Sequence, residues 1–260
     1  MRRDQKLIGV FASGGHDSLY LMAKNLEFGH AILPIHVTTN VNADQKTAES
    51  IAVESQVEAL KRKYPDQVEM LFIKQMNDWE GMDCGIDMPP MFVLAALWSD
   101  HILKTRHGKE LDEIQLAYIL GDHAISYLDD MHALWNALGQ FWSTSEYSIN
   151  PSRKISKLSF PMTRVIKDEV IYHLRERYPD IADHAWTCES PGHLISGIPS
   201  DWPFGDLVPC GECPSCRSLK KISIADPIPA WVREHWGRQR EFKSSAKLTL
   251  SKIRKSKRRG

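Results

Sequence analysis

Leu7-Ile8-Gly9-Val10-Phe11-Ala12-Ser13-Gly14-Gly15-His16-Asp17-Ser18 is the stretch whose reading decides the fold. Leu7–Phe11 is an apolar run of strand length. Leu19, Leu21, Met22 and Leu26 follow at spacings that suit one face of a helix. Strand, short Gly/Ser loop and helix together form the geometry in which backbone N–H groups and a helix N-terminus collect phosphate charge. Gly14 and Gly15 permit backbone dihedrals closed to other residues and let the chain approach an anion closely. Ser13 and Ser18 add hydroxyl donors, and Asp17 could hold Mg²⁺ beside the phosphates. The stretch lacks the spacing and the lysine of the G-x-x-x-x-G-K-[ST] loop. A plainer reading is a turn that caps a helix, with Ser13 or Asp17 on its orphan amides.

The rest of the chain repeats the alternation. Ala31–Thr38 reads as a second strand, with Pro34 implying an edge or a bulge. Residues 46–63 carry Ile51, Val53, Val57 and Leu60 among charges, which predicts an amphipathic helix. Residues 68–73 form a third strand and 77–88 a polar loop. Pro90 suits the first turn of a long helix running to about Lys104. Ile114–Leu120 is a fourth strand, 131–141 a helix, 157–160 a short strand, and 167–178 another helix. Strands alternating with helices predict an α/β fold with a mainly parallel sheet covered by helices on both faces. Ligands of such sheets gather at the carboxyl ends of the strands. The loops after residues 11, 38, 73, 120 and 160 should therefore converge.

Composition narrows the class further. The chain has 260 residues, 42% of them hydrophobic, enough for one substantial core. No apolar run approaches the ~20 residues a bilayer span requires, and no signal-peptide pattern opens the chain, so a cytoplasmic protein without membrane contact is expected. Four of the five cysteines, Cys188, Cys210, Cys213 and Cys216, lie in the last third. In a reducing compartment that clustering points to metal rather than disulfides. Cys210–Cys216 is a C-x₂-C-x₂-C run, and Cys188 could supply a fourth ligand to tetrahedral Zn²⁺. The same run begins a ferredoxin pattern, so a four-iron cluster on three thiolates is the competing expectation. Cys84 stands apart and reads as a buried hydrophobe. The net charge is zero, yet residues 238–260 hold ten Lys or Arg against Glu241 alone. An acidic body thus carries a basic tail, expected to be disordered. It suits nucleic acid or the acidic surface of another protein, including a second copy in a homodimer.

Ser13-Gly14-Gly15-His16-Asp17-Ser18 after a first strand resembles the pyrophosphate loop of the ATP pyrophosphatase superfamily. Together with Cys210-Gly211-Glu212-Cys213-Pro214-Ser215-Cys216 it resembles the 7-cyano-7-deazaguanine synthase family of the queuosine pathway. Three further islands support the likeness: Ala185-Trp186-Thr187-Cys188, Phe160-Pro161-Met162 with Lys167-Asp168-Glu169-Val170, and Gly121-Asp122-His123-Ala124. The chain also departs from the family. Met88-Pro89-Pro90-Met91-Phe92 stands where the family has Val-Pro-x-Arg-Asn. Ser126-Tyr127-Leu128-Asp129-Asp130 only echoes its Asp-Tyr-Ser-Gly-Tyr-Pro-Asp run, and the gap from Cys188 to Cys210 is long.

The resemblance implies an adenine nucleotide alpha hydrolase-like fold with an ATP-binding domain over 1–184, a zinc-binding module over 185–237 and the basic tail over 238–260. It implies ATP held on Ser13, Gly14, Gly15, Asp17 and Ser18, with Mg²⁺. A 7-deazaguanine carboxylate would be adenylated, amidated by ammonia and dehydrated to the nitrile, releasing AMP and pyrophosphate. Asp17, Lys167 and Asp122 would be catalytic and Zn²⁺ structural on the four cysteines. Lys167 could equally be a solvated surface lysine, and His123 a structural histidine. His16 occupies the loop's variable place and receives no role. The departures and the basic tail favour a second expectation, a diverged relative, as in anti-phage defence. It would pass the activated deazaguanine to an amine on a protein or other acceptor. A thiolation-type enzyme of the same superfamily and a non-catalytic zinc-knuckle protein that binds nucleic acid are the remaining alternatives.

Overall fold

Leu7–Phe11 forms β1, buried along its whole length, as a strand at the centre of a sheet must be. The computed structural model describes residues 5–38, 42–75, 88–144, 155–194, 197–222 and 230–233. The predicted loop over 77–88 (apart from Met88), Cys84 and the basic tail at 238–260 lie outside the described residues. The chain divides into two units, one running to Thr187 and the other from Cys188.

In the first unit β1 is followed by α1 (His16–Glu27), β2 (Ala31–Thr38), α2 (Ala43–Lys63), β3 (Phe72–Gln75), α3 (Met88–His107) and β4 (Glu113–Gln115). A 3₁₀ turn (His123–Tyr127), α4 (Leu128–Thr144), β5 (Lys157–Ser159), α5 (Lys167–Arg177) and α6 (Pro179–Ala182) complete it. The five strands are parallel in the order β3-β2-β1-β4-β5. Side chains alternate across this sheet and feed two cores. Ile8, Val10 and Ile32 pack on one face with Leu19 and Met22 of α1, Val53 and Leu60 of α2, and Val170 and Leu174 of α5. Leu7, Phe11, Leu33 and Ile35 pack on the other with Val93 and Leu97 of α3 and Met131 and Trp135 of α4. The predicted parallel α/β sheet with helices on both faces is the observed architecture. Among the described residues no helix is long and apolar enough to cross a membrane.

Two strand boundaries differ from the sequence expectation for identifiable reasons. Pro34 lies not at an edge but in β2, between β3 and β1, opposite Val10. Ile32 N–H donates to Gln67 on the β3 side, and position 34 faces the same side two residues on. Pro34 has no N–H to offer there, and pairing lapses: Ile32 bridges Val68, while Ile35 pairs with Phe72 across one extra residue. The third strand is consequently displaced from 68–73 to Phe72–Gln75. The fourth stops at Gln115 rather than running to Leu120, because its neighbour β5 ends at Ser159 before Pro161. Beyond that point the chain peels away, with Leu120 N–H on Val165 O at 2.8 Å.

The second unit contains a two-stranded antiparallel ribbon, β6 (Gly192–His193) with β7 (Leu207–Val208), and α7 (Pro214–Lys220). Leu194, Val208 and Val232 form its small core with Trp231 packed against them. Trp202 meets both Phe204 and Trp231 edge-on and donates its indole N–H to Leu207 O at 2.9 Å.

Candidate functional site

Strand order reverses direction at β1 and β4: β2 and β3 continue on one side, β5 on the other. The carboxyl ends of β1 and β4 therefore flank the crevice where doubly wound sheets bind ligands. The loop after β1 is Ala12–Gly15, and α1 begins at His16. Gly15 is its N-cap, with φ −81° and ψ 170°, and no side chain caps the helix. The first intrahelical bond runs from Leu19 N–H to Gly15 O at 3.2 Å, so the amides ahead of it are the orphan donors of the helix. Ser13 and Ser18 hydroxyls lie 3.2 Å apart, and Ser18 Oγ donates to Gly15 O.

Gly14 takes φ +80°, in the left-handed region, and lies close against α2. A Cβ there would stand 2.8 Å from Glu49 O and 2.9 Å from Ala52 Cβ. Only glycine satisfies both demands at position 14, whereas Gly15, at φ −81°, takes a backbone conformation open to any residue, contrary to the sequence expectation.

Lys167, at the start of α5, places its Nζ 2.5 Å from Asp17 Oδ2, with both side chains about three-quarters buried. It is therefore a cation at the loop, not a solvated surface lysine. Asp17 Oδ1 is buried with no hydrogen-bond partner among the described residues. An unsatisfied carboxylate oxygen beside a phosphate-type loop is a hard ligand of the kind Mg²⁺ takes. Asp122 caps the turn after β4, accepting from Ile119 N–H at 2.8 Å. Burial raises its pKa, the Asp17 charge adds to that, and the Ile119 bond and Lys167 oppose it. Tyr118 is pushed up by burial and then by Asp122, so it stays a neutral phenol; its hydroxyl too lacks a partner among the described residues. His123 is exposed and packs on Tyr127 with ring centroids 5.3 Å apart.

A cavity of about 310 Å³ opens at this place. Ser13, Asp17 and Ser18 line one side and Tyr118 and Asp122 another; Phe11 and Phe92 are among its apolar walls, and Gln45 and Glu49 come from α2. Ser13, Gly14, Gly15, Asp17, Ser18, Lys167 and Asp122, the residues singled out from sequence, are brought together by the fold. Tyr118, Phe92, Gln45 and Glu49 also line the cavity and were not among them, because their place depends on where β4 stops and how α2 and α3 cross the strand ends. His16 is buried, and burial, with Lys167 and Arg175 adding, lowers its pKa to about 3.

In the second unit the Sγ atoms of Cys188, Cys210, Cys213 and Cys216 all lie within 4.8 Å of one another. Thiolates about 2.3 Å from a tetrahedral ion stand roughly 3.8 Å apart, so the four could close on one metal ion. Thiolates around a four-iron cube are held farther apart by the iron atoms between them. Gly211, at φ +74°, allows the tight Cys-Gly-Glu-Cys turn. Cys210 Sγ accepts from the N–H groups of Glu212 and Cys213, and Cys213 Sγ caps α7 by accepting from Cys216 N–H. Such bonds orient thiolates and stabilise their charge. A hydrogen bond from Cys216 holds the Cys188 thiol down at about 5, and the same contact pushes Cys216 up.

No protein-family model matches the chain, and no curated protein does. Among solved structures, the U34-tRNA thiolase NcsA from Methanococcus maripaludis, with its 4Fe–4S cluster, is similar over 93% of this chain and 74% of its own, at 15% identity and a TM-score of 0.42. The strand order, not this likeness, carries the fold assignment.

Two outcomes follow from the site. Between pH 6.5 and about 3 the unfolded chain binds a proton at residue 16 that the folded chain refuses. The His16 contribution to stability is therefore complete above 6.5 and is lost as the pH falls toward 3. Urea titrations across that range should show a shallower acid loss for His16→Gln than for the natural chain; identical slopes would contradict the burial. Cys213→Ser should release bound metal, read by elemental analysis, and lower the melting temperature of the second unit. A metal-free variant of unchanged stability would exclude a structural role.

Proposed function

We propose that the chain is an ATP-dependent ligase of the ATP pyrophosphatase superfamily, of the 7-cyano-7-deazaguanine synthase type. The observation that carries this reading is the pairing of Lys167 with Asp17 over an uncapped α1 N-terminus, at the reversal point of the sheet. The amides at the start of α1 and the Ser13 and Ser18 hydroxyls would take the departing pyrophosphate. Asp17, whose Oδ1 has no partner among the described residues, would hold Mg²⁺, which screens the phosphate oxygens when bound. Lys167 would stabilise charge developing at the α-phosphorus. The carboxylate of 7-carboxy-7-deazaguanine attacks that phosphorus, and pyrophosphate leaves. Ammonia then displaces AMP from the acyl adenylate to give the amide. A second ATP activates the amide oxygen, and loss of AMP leaves the nitrile. A carboxylate resists ammonia at neutral pH, whereas AMP is a good leaving group, so positioning and positive charge are the main demands on the protein.

The neutral Tyr118 phenol and the Asp122 carboxyl, on the cavity wall beyond the loop, would contact the heterocycle or ammonia. The four cysteines would hold Zn²⁺. Four thiolates leave no open position, so the ion would supply structure rather than chemistry. That closed arrangement disfavours thiolation, which needs a sulfur-handling site.

One feature supports a second reading. Phe92 lines the cavity at the position where the synthase pattern places an asparagine, so part of the polar base recognition is replaced by an apolar ring. A diverged enzyme that passes the activated deazaguanine to an amine of a protein or nucleic-acid-bound acceptor would tolerate that change.

The test is an incubation with ATP, Mg²⁺, 7-carboxy-7-deazaguanine and ammonium, followed by mass spectrometry. Nitrile and AMP are expected, and Asp17→Ala should abolish both while the protein stays folded. AMP without nitrile would favour the second reading, and undiminished turnover in Asp17→Ala would sink the loop assignment.

A further inference from the structure

Gln56 sits in the middle of α2 on its apolar face, between Val53 and Val57 on one side and Leu60 on the other, and is fully buried. A buried primary amide in that stripe costs free energy unless its hydrogen bonds are made. Its Nε2 donates to Gly14 O at 2.7 Å, 42 residues away in sequence, and lies 3.4 Å from His184 O. Both neighbours are carbonyl oxygens, which fixes the amide orientation, since the flipped form would set oxygen against oxygen. Gln56 Oε1 is left with no partner among the described residues. The side chain is thus held for its donor half alone.

Gly14 O receives a second bond, from Trp186 N–H at 2.8 Å. Two donors thus pin one carbonyl of the phosphate loop. In a trans peptide the N–H of the next residue points opposite to that carbonyl. Anchoring Gly14 O between α2 and the Trp186 backbone therefore turns Gly15 N–H the other way, toward Ser13 Oγ at 3.4 Å and the hydroxyl pair of Ser13 and Ser18. That is the side on which phosphate oxygens would sit.

We infer that Gln56 is a positioning residue that sets the Gly14–Gly15 peptide so that its N–H serves the phosphate site. The inference rests on the ATP-binding reading above. Loss of the donor frees the loop peptide to rotate and removes preorganisation specifically for the phosphates, with no effect on contacts to the nucleoside.

The experiment is calorimetric titration of the full chain with Mg·ATP and, separately, with adenosine. Gln56→Met keeps the length and apolar volume of the side chain but removes the donor. Its Kd for Mg·ATP should rise about tenfold, the effect expected of one lost hydrogen bond to an ordered group, while its Kd for adenosine stays unchanged. Gln56→Leu, a second donor-free variant, should behave alike and covers the case in which Met does not fold. Unchanged Mg·ATP affinity would overturn the inference alone. Equal weakening for ATP and adenosine would mean that Gln56 only supports the fold, and would overturn it as well. A natural chain that binds no Mg·ATP would overturn the underlying reading of the site and the inference with it.

Discussion

Gly15 offers no side chain to the first amides of α1, so those donors need a partner from outside the helix. The carboxyl end of the sheet is organised around that need. β1 delivers the loop to the point where strand order reverses. Gly14 takes its left-handed conformation against α2, and Lys167 at the start of α5 closes on Asp17. A mostly buried ion pair is costly in isolation, as are the oxygens of Asp17 and Tyr118 that have no partner among the described residues. An anion with a divalent cation would satisfy all of them at once.

Much of the arrangement was legible in the sequence because the carrying residues are contiguous. Ser13–Ser18 marks a strand–turn–helix with an uncapped helix start from six neighbours, and C-x₂-C-x₂-C marks a turn whose sulfur atoms gather closely enough to hold one metal ion. The parallel sheet follows from apolar runs alternating with amphipathic segments, and the observed architecture agrees. What escaped depends on register and crossing. Pro34 signals a break in pairing, yet only the lapse between Val68 and Phe72 shows on which side it falls. Tyr118 read as strand because its surroundings are apolar; it lines the cavity because β5 stops short. Gln56 left a trace, a polar residue inside the stripe of Val53, Val57 and Leu60, but its target 42 residues upstream leaves none.

The cysteine unit follows a different logic. Its ribbon and short α7 bury few apolar side chains among the described residues, so a metal held by four thiolates would supply order that such a core cannot. The N–H bonds onto Cys188, Cys210 and Cys213 are already in place, preparing sulfur atoms to carry charge. The hard-ligand carboxylates lie at the sheet, and the soft thiolates lie in the unit that begins at Cys188.

The proposed reaction begins with attack by a carboxylate oxygen of the substrate on the α-phosphorus of ATP. Supplying 7-carboxy-7-deazaguanine labelled with ¹⁸O in its carboxylate and analysing the nucleotide product follows that bond itself. Such attack leaves AMP that carries one ¹⁸O from the substrate, together with unlabelled pyrophosphate. Unlabelled AMP, or ADP with inorganic phosphate, would contradict it.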